Sequence, residues 1–364
     1  MKKCLSLLLA VLVFSLLLTG CFNPETVMTV GGVDIPAGVY LHYQLEAAYE
    51  AASLNGTYFV DEALLSSSVE DAPVREWIFE RMLPYLREYA YVESEFERMG
   101  LSKHELNSLM VMYRYNMQSE WNQVGTVYNS NGIGYKTFEA IYRNSLARNM
   151  IYEAMYVNEN APMRVPDAEV QDYYFKNYSV IDTIRLENKD ADGIVLDEAG
   201  LAELKEMAET MCDIAQTAAE TAGRFFADEE NMGLRAALDW YFDEIEATEE
   251  DRENNSSLMS SGNVVSLVPT PYPLYSDDIL AAVLETSYET YSVFQNSSET
   301  VIICRRHVEE AGEEQWEGFS ANIIQVLKGE EFTSFIKNES AGLEISKNER
   351  AIKYYRPDKI KAAY

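Results

Sequence analysis

The stretch SVIDTIRL, Ser179 to Leu186, decides the fold, because the residue period changes where it begins. Up to Tyr178 the chain reads as the end of an acidic, tyrosine-rich helix. From Ser179 the β-branched residues Val180, Ile181, Thr183 and Ile184 crowd together, as a buried strand requires. The helix before it opens at Pro166, with Asp167 and Glu169 in its first turn. Proline fits there without losing a hydrogen bond, and acids meet the positive end of the helix dipole. A strand directly after such a break marks the start of a new unit.

Beyond the strand the pattern alternates. A polar turn is followed by a helix from Glu198 to about Ala222 and a second acidic helix from Asp228 to Glu246. Glu249 to Asn263 is polar, and Asn263 to Leu267 has strand character ahead of a loop holding Pro269, Pro271 and Pro273. Asp277 to Glu285 is a short helix, and Tyr291 to Phe294 and TVIICRR (Thr300 to Arg306) are strands. The order describes a small α/β unit from Ser179 to Arg306.

Upstream the chain is mostly helical. Val27 to Ile35 reads as two tiny strands about a Gly31-Gly32 turn, leading into a helix from Ala37. Val74 to Met99 carries Val74, Ile78, Met82, Leu86, Ala90 and Phe96 mostly at helical spacing, with Pro84 expected to kink it. Gly100 ends that helix, and Ser102-Lys103-His104-Glu105 is a capping box for the next, which carries Leu106, Leu109, Met110, Tyr113 and Met117 on one side. Tyr135 to Val157 is a third long helix. At the far end, Gln315 to Asn338 is amphipathic, and LEISKNERAIKYYRPDKI (Leu343 to Ile360) gives a short strand and a basic tail.

The 364 residues are 47% hydrophobic, enough for two or three cores. Sixty acids against 29 bases leave a formal charge of −31, which repels phosphate backbones and excludes nucleic acid as a partner. Lys2 and Lys3 precede an apolar run, Leu5 to Leu18, which is short for a membrane span and has the shape of a secretory segment. Leu18-Thr19-Gly20-Cys21 then resembles a bacterial lipobox. That resemblance implies cleavage after Gly20 and a diacylglycerol on the Cys21 sulfur, several acyl chains together giving a durable anchor. The alternative is an ordinary signal peptide with a chance cysteine. Cys212 and Cys304 remain, either bridged or as two buried thiols, and their spacing suggests no metal site. Nothing indicates a cofactor.

Taken in order, these segments resemble the SurA/PrsA-type foldases. The motifs are VMTVGGVDIPAGVYLHY, the step Met99-Gly100-Leu101-Ser102, Gly134-Tyr135-Lys136-Thr137-Phe138, and the hinge VPDAEVQDYY from Val165 to Tyr174. The resemblance implies an α+β chain: signal peptide 1–20, lipid-anchored tether 21–26, a helical chaperone domain 27–165, a degenerate parvulin-like domain 166–310, and a C-terminal helix and tail 311–364 rejoining the chaperone domain. It further implies an extracytoplasmic lipoprotein, held at the cell membrane through Cys21, that binds unfolded or newly exported polypeptides. Adaptable Met and amphipathic Tyr suit such a surface, and Tyr89, Met110, Tyr113 and Met117 are its candidates. The bland alternative is that they pack the interior.

Prolyl isomerisation breaks no bond but crosses a barrier of ~20 kcal/mol, so an enzyme needs an apolar groove and a polar cluster that favours the twisted amide. Parvulins supply a histidine from the first strand and another from the last. Here Thr183 stands at the first position, and Thr300 or Val301 at the second. The chain has three histidines, His42, His104 and His307, none within those strands. The candidate polar groups of a histidine-free groove are Asp182, Thr183 and Thr300. Three readings follow: a chaperone with a degenerate isomerase domain, an active isomerase, and a solute-binding or scaffold lipoprotein.

Overall fold

The computed structural model describes residues 25–361 apart from 191–192, 223–225, 228–229, 255, 269–274 and 309–314. The lipobox and Cys21 lie outside the described residues. The chain divides into two compact units, Met1–Arg164 with Val326–Tyr364, and Val165–Gln325.

The first unit opens with strands β1 (Thr26–Val30) and β2 (Val33–Pro36), antiparallel with Val30 opposite Val33. Their two-residue loop puts Gly31 and Gly32 at φ 56° and 86°, the paired positive angles of a tight hairpin turn. A side chain at Gly31 would also place its Cβ 2.8 Å from Leu343. Helix α1 (Ala37–Leu54) buries Val39, Tyr40, Leu45 and the small set Ala47, Ala48, Ala51 and Ala52. The alanines let α2 (Val74–Arg98) pack closely against it. All six apolar residues expected on the inner side of α2 are buried, and Pro84 sits within a helix that runs unbroken past it. Ser102 Oγ accepts from the Glu105 amide at 3.2 Å, capping α3 (Lys103–Met112). One helix was expected to carry Leu106 through Met117. Instead α3 ends at Met112, Tyr113 relaxes to φ −84° and ψ 6°, and α4 (Arg114–Ser130) starts anew. Helix α5 (Tyr135–Tyr152) follows and finishes in a π-turn, Glu153–Val157.

The second unit begins with α6 (Asp167–Asn177), which passes directly into β3 (Tyr178–Glu187). Then come α7 (Glu198–Ala222), α8 (Met232–Glu244), β4 (Met259–Ser266), α9 (Asp277–Glu285), β5 (Tyr291–Gln295) and β6 (Glu299–Arg306). The acidic helix expected from Asp228 starts at Met232, because the Asn231 side chain accepts from the Leu234 amide and caps it there. Strand β4 begins at Met259, four residues earlier than its β-branched core suggested. The polar stretch before it contains a short helix, Glu249–Asn254. The four strands form one antiparallel sheet in the order β4-β3-β6-β5. First and last strands of the unit are thus central neighbours, with Thr183 opposite Ile303 and Asp182 opposite Cys304.

Helix α10 (Trp316–Ala341), strand β7 (Ile345–Lys347) and helix α11 (Glu349–Tyr354) complete the chain. Strand β7 pairs with β1, Met28 opposite Lys347, so the N-terminal hairpin gains its third strand from the other end of the sequence. The fold is α+β. None of the described helices is long and apolar enough to cross a membrane.

Candidate functional site

Strand β3 offers two faces of different chemistry. On one, Ile184, Leu186 and Ile302 pack with Ala208, Met211 and Ala215 of α7 and with Leu234, Ala237 and Leu238 of α8. Asp182 lies on this face, wholly buried. Arg306, also buried, clamps it with two charge-assisted bonds, Nε to Oδ2 at 2.7 Å and a terminal amine to Oδ1 at 3.0 Å. Asn231 Nδ2 donates to Oδ2 at 3.1 Å, and the Gly262 amide donates to Oδ1 at 2.6 Å. That amide is available because β4 bulges opposite Asp182: Ile181 faces Asn263 and Thr183 faces Ser260, leaving Ser261 and Gly262 over. Gly262 takes φ 75°, the left-handed region where glycine is favoured. Asn231 Oδ1 accepts in turn from Tyr291, whose hydroxyl pKa burial pushes well above the phenolic range. Both oxygens of Asp182 are therefore saturated by the protein.

On the other face, Ile181, Val301, Ile303 and Val265 pack beneath Ile279 and Val283 of α9 and beneath Tyr275. Thr183 sits among them without exposed surface, its hydroxyl lacking a hydrogen-bond partner of ordinary geometry. Thr183 and Asn263 do act on the Tyr275 hydroxyl, whose pKa burial raises and which these two neighbours pull back down. Thr300 is elsewhere. It lies on the Asp182 face but opposite Leu186, four residues along β6 from the partner of Asp182, or ~13 Å at ~3.3 Å per residue. Its Oγ1 donates to Asn188 at 2.8 Å and accepts from Gln295 at 2.8 Å. The three candidate catalytic residues are not brought together: one is on the opposite face, and the other two are fully used by their own partners. His307 stacks on Tyr288 with ring centres 3.7 Å apart, and Arg305 donates to the Tyr288 hydroxyl at 2.9 Å and to Ser179 at 3.1 Å. Cys212 and Cys304 are not bridged, and burial pushes the Cys212 thiol up to about 12. Among the described residues no group of three or more His, Cys, Asp or Glu could hold a metal ion.

In the helical unit, two of the four candidate contact residues belong to the interior. Tyr89 packs in the main core, and burial raises its hydroxyl pKa to about 12. Met117 packs with Leu45, Tyr128, Ile133 and Phe138 in a second cluster. Met110 and Tyr113 are half-buried, Tyr113 leaning on Tyr142 at 6.4 Å. Among the large apolar side chains of this unit that face solvent are Val111, Met112 and Tyr115, exposed by 60, 63 and 83%, alongside Leu54, Tyr58 and Phe59.

No family model matches the chain, and no curated protein matches it. Among solved structures it is similar to the foldase protein PrsA from Streptococcus pneumoniae, at 15% identity and a TM-score of 0.36 over 79% of this chain and 98% of that one. It is also similar to the foldase protein PrsA from Lactococcus lactis, at 11% identity and a TM-score of 0.36 over 93% and 100%. At that level the similarity carries neither residue roles nor an activity.

The exposed triplet had a signal in the sequence. Val111 and Tyr115 are four residues apart and Met112 and Tyr115 three, which an unbroken helix would place on one surface. A helical stretch with apolar residues on the side away from its core has a second surface to account for. The choice between the two sides needed the packing of Leu106 and Met117, which only the fold supplies.

Proposed function

We propose that the chain is a membrane-anchored, extracytoplasmic chaperone that holds unfolded, newly exported polypeptides on the apolar surface of its helical unit, without a cofactor. The observation that carries this is the exposed set Val111, Met112 and Tyr115 at the α3–α4 junction. Large apolar side chains left in water together are a standing cost unless something covers them. A Met and a Tyr adapt to many partners, as a chaperone surface must. With a net charge of −31 over the chain, the occupant that fits is an extended segment with apolar side chains flanked by basic ones. The sequence resemblance supplies the parvulin-like reading of the sheet unit and the anchoring through Cys21. Replacing Cys21 by Ala should abolish the incorporation of labelled fatty acid into the protein, and undiminished labelling would remove the anchor from the proposal.

The deciding test is light scattering from a basic, aggregation-prone unfolded protein. The chain should suppress the scattering, and a Val111→Ser, Met112→Ser, Tyr115→Ser variant should lose most of that effect at equal concentration. Undiminished suppression by the variant overturns the reading.

One observation favours a second reading, an active prolyl isomerase. The Thr183 hydroxyl is buried without a partner at the position where the parvulin resemblance expects a catalytic group. A substrate proline could reach it only by displacing the residues packed over it, Tyr275 among them. A proline-specific peptide assay decides: catalysis above background that falls in Thr183→Val establishes the isomerase and sinks the purely chaperone account.

A further inference from the structure

A cavity of about 570 Å³ opens between the start of α1, the turn after α4 and the C-terminal tail. Leu41, Leu45 and Ile360 give it apolar walls, and Gln44 lines it with a side chain 1% exposed. The Gln44 Oε1 atom has no hydrogen-bond partner. Its polar neighbour Asn131 is satisfied, accepting from the Lys361 amide at 2.8 Å and donating to the Val127 carbonyl at 3.0 Å. A buried carbonyl oxygen left bare costs ~1–3 kcal/mol, so the Gln44 amide in the cavity wall has bonding capacity that the protein leaves unused. The cavity is also lined by Lys359 and Lys361. Lys359 rests its ammonium 4.2 Å over the Tyr354 ring, and among the described residues neither lysine pairs with a carboxylate. In a chain with 60 acids and 29 bases, two unneutralised lysines at one cavity are a local reversal of charge.

We infer that this cavity binds a short apolar peptide segment bearing a carboxylate, its side chain against Leu41, Leu45 and Ile360, its backbone on the Gln44 amide, and its carboxylate on Lys359 and Lys361. The volume is in the range of small-ligand sites, and an amide side chain beside an apolar wall is the chemistry that recognises a peptide backbone. Either source of the carboxylate, a chain terminus or an acidic side chain, presents the same groups. The site differs from the surface at Val111, Met112 and Tyr115 in place and in charge preference, so either can fail without the other.

The test titrates the full chain with three probes by calorimetry: N-acetyl-Ala-Ala-Leu with a free carboxylate, the same peptide as its amide, and N-acetyl-Ala-Asp-Leu-amide. The expected result is binding of the first, the third, or both, at least 10-fold tighter than the neutral amide. The two charged probes separate a chain terminus from an acidic side chain. Lys359→Gln with Lys361→Gln, both on exposed residues, should erase the preference for charge. Gln44→Leu should weaken binding at least 10-fold without lowering the melting temperature, since the oxygen it removes satisfies nothing in the protein. Equal affinity for all three probes, no binding at millimolar peptide, or binding unchanged in these variants overturns the inference. Scattering suppression that persists in the lysine variant shows that such a failure concerns this cavity alone.

Discussion

Asp182 and Gln44 are equally hidden from solvent, at 0 and 1% exposure, and their surroundings differ completely. Asp182 is met by four donors from three separate segments: Arg306 twice, Asn231 and the amide of Gly262. Gln44 keeps an oxygen with no donor at all and lines an open cavity. The first arrangement is closed chemistry. A carboxylate that spends all its acceptor capacity on its own protein binds the sheet to α8 and the β4 bulge, and has nothing left for a substrate. The second is open chemistry, and a bare buried acceptor beside free volume and unpaired cations has capacity for a ligand. Burial alone does not distinguish structure from function, whereas the count of satisfied bonds does.

The sharpest way to break this contrast is to remove Arg306. Arg306→Met leaves the Asp182 charge buried and uncompensated and should cost ~3–5 kcal/mol, read as a lower urea midpoint at pH 7. The double variant Asp182→Leu, Arg306→Met should recover much of that loss, because it removes both charges together. A single variant costing under ~1 kcal/mol would mean that the carboxylate finds solvent, and the network would not be closed.

Next in size is a pH effect in the helical unit. Burial lowers the His42 pKa from 6.5 to about 4, so the folded chain holds this imidazole neutral between flanking Tyr43 and Tyr128 rings. Between pH 6.5 and 4 the unfolded chain binds the proton and the folded chain does not. Stability therefore rises with pH across that window and is lost as the pH falls, by ~3 kcal/mol in total for a shift of this size. Burial raises the Glu46 pKa nearby, which acts in the opposite sense, so the comparison must be with His42→Phe, where the Glu46 contribution cancels. The variant should lose less stability than the parent between pH 6.5 and 4. Identical slopes would show that His42 reaches solvent.

Much of this was legible in the residues. The period change at Ser179 places β3 correctly, and TVIICRR is β6, because β-branched runs with buried neighbours on both faces admit little else. Gly31-Gly32 announces its hairpin because few other pairs accept two positive φ angles. The site was less legible for two physical reasons. First, adjacent strand residues point to opposite faces, so Asp182 and Thr183 could never act side by side, and register alone separates Thr300 from both. Second, helical spacing identifies stripes but not which stripe meets the core. Tyr89 and Met117 are inside while Val111, Met112 and Tyr115 are out, and the one-residue break at Tyr113 contributes by restarting the helix. The partners of Asp182 lie 49 to 124 positions away in sequence, beyond any local pattern.

Thr183 sits between the two extremes, buried like Asp182 and lacking a regular bond like Gln44, but packed within an apolar core. Thr183→Val keeps the shape and removes a hydroxyl that earns little from its surroundings. It should leave stability unchanged or raise it by up to ~1 kcal/mol. A loss above ~1 kcal/mol would show that the hydroxyl is bonded in solution, most simply to Tyr275, and would move Thr183 to the closed side of the comparison.

The smallest stability change is expected where the functional change is largest. Val111, Met112 and Tyr115 touch too little of the protein to support it, and exposed substitutions of this kind usually stay within ~0.5 kcal/mol. The serine triple variant should therefore melt with the parent in circular dichroism while failing to hold an unfolded client. Serine is a weaker helix former than methionine, and at position 112 that propensity difference sets the few tenths of a kcal/mol expected. A fall in melting temperature of 5 °C or more would mean that the three side chains pack against something in solution, most simply a second copy of the chain. In that case the loss of holding would follow from lost assembly, and analytical ultracentrifugation of parent and variant would separate the two causes.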